Sequence, residues 1–164
     1  MATRTVSVVS QSVRSQSVNS QSQAEPRESA ISPSIVLAGR VLFSFIFLIA
    51  GLFHFTHQDI AYAAASGVPM PELLVPASGI LAVAGGLSIL LGYRARLGAW
   101  LLAIFLVPVT LTMHNFWAVK DPMMAQMQMA MFMKNLSMLG GVLLISQFGA
   151  GPWSLDAKRE SGRE

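Results

Sequence analysis

The stretch GRVLFSFIFLIAGLFHFTHQD, residues 39 to 59, decides the fold. Arg40 opens it, an unbroken uncharged run follows, and His54, His57 and Asp59 close it. An α-helix rises about 1.5 Å per residue, and a bilayer core takes about 20 apolar residues to cross. The run therefore reads as one membrane crossing. Arg40 and His54 then lie about 21 Å apart along the helix axis and belong to opposite faces of the membrane.

The rest of the chain repeats the pattern. Apolar runs predict spanning helices at about 34–55, 72–91, 97–116 and 122–148, with residues 1–33 as a Ser- and Gln-rich disordered tail and 149–164 as a second tail. Prolines stand at the helix starts (Pro33, Pro71, Pro122), where a missing N–H would be unpaired anyway, and Gly92 ends the second run. Charged residues form only 12% of the chain and hydrophobic residues 53%, against roughly a quarter charged in soluble domains. With a mean hydropathy of +0.55, the chain reads as a multi-pass protein in contact with a lipid bilayer. The Ser-rich, Arg-containing start also fits a transit peptide, but Glu25 and Glu28 argue for a plain tail.

Charge placement sets the expected orientation. Arg4, Arg14, Arg27, Arg40, Arg94, Arg96, Lys158, Arg159 and Arg163 fall on one side, and only Lys120 and Lys134 on the other. This asymmetry predicts an all-α, up-down bundle of four transmembrane helices with the N- and C-termini cytoplasmic. It also accounts for the high pI without a nucleic-acid partner, because the basic residues punctuate apolar blocks. Zero cysteines exclude disulfides, thiolate metal sites and dithiol chemistry carried by the chain itself.

Small residues mark the packing faces. Ser78, Ala82 and Gly86 recur every four residues with Gly85 beside them, and Gly140 and Gly141 repeat the device in the fourth span, which predicts that the second and fourth spans pair. Pro108 removes the hydrogen bond to the Ile104 carbonyl and should bend the third span. The Met-rich stretch from Met123 to Met133 reads as flexible apolar filler, with thioether binding of Cu(I) as the alternative, and no metal ligand set is assigned.

The topology brings His54, His57 and His114 to one side, where Asn115, Lys134, Asn135, Asp59 and Glu72 can join them in an outer pocket. Such a pocket can hydrogen-bond a quinone, hold a haem between helices or bind a metal through imidazole, and the spacing selects none of them. Lys134 inside a span must either face that pocket or snorkel to the headgroups. On the opposite side Arg40 is expected to act as a structural clamp, with Gln147 and Asp156 as its partners.

Taken together, AGRVLFSFIFLIAGLFHF, MHNFW, FMKNLSMLGGVLLI and GAGPWSLD, with the glycine-rich second span, resemble the DoxX family of small four-helix membrane proteins over residues 35 to 156. That resemblance implies a multi-pass protein of a plasma membrane of the bacterial inner-membrane type, an auxiliary subunit of a membrane-associated, quinone-linked oxidoreductase system, partnered by a soluble or membrane oxidoreductase. A self-sufficient quinone-reactive enzyme and a small-molecule or anion carrier are the alternatives. The sequence departs from that family's pattern at Ala82, a position where many of its members carry a glutamate.

Overall fold

The structure is a computed structural model that describes residues 32–162. The N-terminal tail and Arg163 therefore lie outside the described residues, apart from Ser32 and Pro33. Four long helices form the body: α1 (Pro33–Phe53), α3 (Pro71–Leu91), α4 (Ala95–Met113) and α5 (Pro122–Phe148). Two short helices were not anticipated: α2 (His57–Ala65) links α1 to α3, and α6 (Leu155–Ser161) closes the chain. Length and composition make the four long segments candidate membrane spans, the third extended through the 3-10 turn Phe116–Ala118. The all-helical, four-span reading of the sequence holds.

Helix ends follow local chemistry. Asp121 accepts the Met124 N–H at 2.8 Å and starts α5, while Gly92, at φ 64°, ends α3 in a left-handed conformation that suits glycine. The first span stops at Phe53, earlier than expected. Thr56 accepts the Asp59 N–H at 3.3 Å, so a new helix begins at His57. His54 and His57 consequently sit on different elements and share no helix face.

The order of packing differs from the predicted pairing. The second span, α3, lies between α1 and α4, and α5 packs on α4. Small residues allow both approaches of α3. A Cβ built on Gly79 would stand 2.8 Å from the Gly51 carbonyl oxygen of α1, and one on Gly85 would stand 2.9 Å from the Gly98 oxygen of α4. In a bilayer, apolar burial between helices adds little drive, so association rests on such close van der Waals approach. Ala82 and Gly86 complete the face toward α1, and the Ser78 hydroxyl turns back to donate to the Val75 carbonyl at 2.7 Å. Gly141 meets the Phe43 ring of α1, whereas nothing lies within 4 Å of a side chain built on Gly140. Phe47, Leu102, Leu106 and Val142 fill the centre, and Leu42, Phe45, Ile80 and Leu144 face outward, where acyl chains cover them.

At the end of the bundle where α1 begins, Arg40 is buried and ties the C-terminal segment to the body. It donates to the carbonyls of Ala150 at 3.2 Å and Trp153 at 2.7 Å. Neither expected side-chain partner is used. Gln147 is exposed, and the Asp156 carboxylate accepts the N–H groups of Arg94 at 2.8 Å and Ala95 at 3.0 Å, which caps the start of α4.

Substituting Gly85→Ala should destabilise the folded protein by about 1–3 kcal/mol through overpacking against α4. Gly140→Ala should be neutral or gain about 1 kcal/mol from helix propensity. Denaturation in detergent micelles checks both values.

Candidate functional site

At the opposite end, where α1 and α4 finish, α3 and α4 separate beneath α2 and leave a cavity of about 640 Å³. Its floor and walls are apolar: Val75 and Leu81 of α3, Phe105, Pro108 and Val109 of α4, Ala63 of α2 and Val68 of the following loop. Polar groups stand among this lining at His54, Asp59, Tyr62, Thr112 and His114. Leu74 and Ile104 line the cavity and are also exposed on the flank of the bundle, so it opens sideways toward lipid as well as toward the surface.

Backbone chemistry shapes this opening. Pro76 and Pro108 lie within α3 and α4, and each lacks the N–H that a helix would use at that point. Thr112 returns its hydroxyl to the Pro108 carbonyl at 2.8 Å, and Thr110 does the same to Leu106 at 2.6 Å. Such internal bonds satisfy polar groups where water is scarce.

The histidines are held in different ways. His54 donates from Nδ1 to the Ala50 carbonyl at 2.7 Å, with Asp59 Oδ2 at 4.0 Å, and its ring sets its edge against Phe105 at a centroid distance of 5.6 Å. His114 donates from Nδ1 to Gln128 Oε1 at 2.8 Å, and Gln128 Nε2 donates to the Tyr62 hydroxyl at 3.1 Å. This chain of bonds joins α4, α5 and α2 and holds the short helix over the cavity.

Of the sequence-selected pocket residues, the structure brings His54, Asp59 and His114 together on the cavity lining. His57 is exposed on α2, Asn115 sits at the turn after α4, and Glu72 is exposed at the start of α3, none of them in the lining. Lys134 is exposed on α5, with Nζ 3.3 Å from Met131 Sδ, whereas its neighbour Asn135 is buried at 5% exposure away from the cavity. Sequence reasoning missed Tyr62 and Gln128. The Thr56-x-x-Asp59 capping pattern before Ile60 was the signal that could have revealed α2, and with it Tyr62.

These features define a small multi-pass membrane protein with a mostly apolar cavity, capped by α2, of a size to bind a ligand. The chain belongs to the SURF4 family, whose sequence model matches residues 5–161. It is 31% identical to the inner membrane protein YqjF of Escherichia coli over 74% of this chain and 88% of the relative. Identity is 29% to the inner membrane protein YphA of the same organism, over 79% and 93%. The ER-derived vesicles protein ERV29 of Saccharomyces cerevisiae is 28% identical over 49% of this chain, but that match covers only 26% of ERV29. No solved structure matches.

Membership in the SURF4 family overturns the resemblance to DoxX proteins and the oxidoreductase-subunit function drawn from it. The quinone-enzyme and carrier alternatives fall with it, and no relative points to an oxidoreductase partner. The quoted motifs misled for a physical reason. Glycines at helix crossings and arginines in one set of loops are what a tightly packed four-span bundle needs, whatever its function. Ala82 is wholly buried in the packed bundle, where a carboxylate would be stripped of water at a high energetic cost.

Replacing His114 by Ala should loosen α2. Amide exchange of residues 57–65 should rise about fivefold, the worth of one hydrogen bond. Tyr62→Phe should act similarly, and the double variant should add little if both residues serve the one Gln128-centred network. Hydrogen–deuterium exchange in detergent measures each.

Proposed function

We propose that this protein is a non-catalytic membrane receptor that takes an apolar segment of a client polypeptide into the cavity beneath α2. The cavity carries the reading: it has the size of a ligand site, apolar walls, and a few polar groups able to hydrogen-bond a peptide backbone. Its sideways opening at Leu74 and Ile104 suits a client that is itself in, or entering, the membrane. Two family relatives are called inner membrane proteins and one an ER-derived vesicles protein, names in keeping with a membrane setting.

In this reading the arginine-rich end faces the cytoplasm and the cavity faces the opposite side, as the charge asymmetry favours. Recognition then runs through shape and apolar contact, with Tyr62, His114 and Asp59 fixing register. No bond is made or broken.

A photo-crosslinking amino acid at Val109 should capture protease-sensitive polypeptide adducts in native membranes. Filling the opening with Ala77→Trp should reduce them about tenfold, an effect of 1.4 kcal/mol. Adducts with lipid alone, or adducts unchanged by Ala77→Trp, would contradict the receptor reading.

A further inference from the structure

A second cavity, of about 600 Å³, lies at the other end of the bundle, enclosed by the α3–α4 turn, the end of α5 and α6. Arg94, Arg96 and Arg159 line it. Among the described residues, none of these guanidinium groups lies within 4.0 Å of a carboxylate oxygen, the only such ion pair being His54–Asp59. Asp156 and Glu160 also line the cavity, but Asp156 is engaged with the Arg94 and Ala95 amides and Glu160 is exposed on α6.

The arginines converge. Arg94 and Arg159 both stand over the Tyr93 ring, at 5.9 and 4.8 Å from its centroid, so one aromatic surface gathers two cations from separate elements. Arg96 reaches the cavity past Gly149: a side chain built there would stand 3.7 Å from Arg96 Nε, and at φ 77° the position suits glycine. Like charges so placed favour an anion that can accept from more than one guanidinium, and phosphate oxygens match the planar donor fork of arginine.

The surroundings identify the source of that phosphate. Phe148 is 80% exposed, and Trp153, Leu97 and Leu155 are exposed nearby, an apolar rim where the spans end. Basic pockets between helix ends at a membrane surface take anionic headgroups while acyl chains lie on the adjoining apolar face. We infer that the Arg94–Arg96–Arg159 cavity binds the phosphate of an anionic phospholipid headgroup. The bound lipid also bridges α4 to α6 and so fastens the C-terminal helix to the membrane. This site is separate from the cavity beneath α2 and does not depend on its role.

Native mass spectrometry of the full-length protein in mild detergent tests the site with phosphatidylglycerol, phosphatidylcholine and inorganic phosphate as probes. Phosphatidylglycerol should be retained over phosphatidylcholine, and retention should weaken as ionic strength rises. The double variant Arg96→Gln/Arg159→Gln should retain phosphatidylglycerol at least about tenfold less, and Lys134→Gln, on α5 away from the cavity, should match the unaltered protein. Should the double variant not fold, Arg159→Gln alone, on the exposed α6, should lose roughly fivefold. Equal retention of the two lipids, or undiminished retention by a folded variant, would overturn the site. Displacement of phosphatidylglycerol by an equal concentration of inorganic phosphate would assign it to free phosphate and overturn the lipid reading.

Discussion

The close approach of α1 and α3 at Gly51 and Gly79 is the contact on which the rest of the molecule depends. With no Cβ at Gly79, the Gly51 carbonyl and the His54 side chain can come right up to the α3 backbone. The same helix meets α4 lower down at Gly85 and Gly98. Pinned at these two crossings, α3 and α4 part only at the histidine end, and the prolines Pro76 and Pro108 stand where they do so. The cavity results from where the glycines stop holding the helices together. A polar core would have filled that gap at the expense of buried polar groups, whereas apolar packing leaves it open to a partner.

The two ends of the bundle are built on different physics. The arginine end is fastened by hydrogen bonds to backbone: Arg40 reaches two carbonyls of the C-terminal segment, and Asp156 returns to two amides at the start of α4. A buried guanidinium with several acceptors is tolerated where a bare charge would not be. The spans are therefore held together at this end, and Arg94, Arg96 and Arg159 line the cavity between the α3–α4 turn and α6. At the histidine end α2 is held by the short His114–Gln128–Tyr62 chain and by packing on α3 around the buried Ala63, fewer ties than any span has, so it is the element best suited to move when something enters beneath it.

Much of this was legible in the sequence, for reasons that differ by residue. The four spans were readable because bilayer thickness fixes the length of an apolar run, and Pro33, Gly92 and Pro122 mark helix ends through backbone chemistry alone. The convergence of His54 and His114 followed from an up-down topology. Lys134 was not legible: position along a span gives depth but not the direction in which a side chain points, and here it points outward beside Met131. The partners of Arg40 were hidden because backbone carbonyls leave no trace in residue identity. Which helices neighbour one another was equally hidden, since a small-residue stripe states that something approaches closely but not what. The family was misjudged from motifs that encode bundle packing, and the match along residues 5–161 corrected it.

The two cavities, one apolar and one cationic, lie at opposite ends of the four-span bundle. The natural absence of cysteine makes single reporters unambiguous. His57→Cys, exposed on α2, and Ser161→Cys, exposed at the end of α6, can each be labelled with a membrane-impermeant maleimide in sealed vesicles of uniform orientation. One position should react from outside, and the other only after the vesicles are permeabilised. Reaction of both positions from the same side would contradict the account.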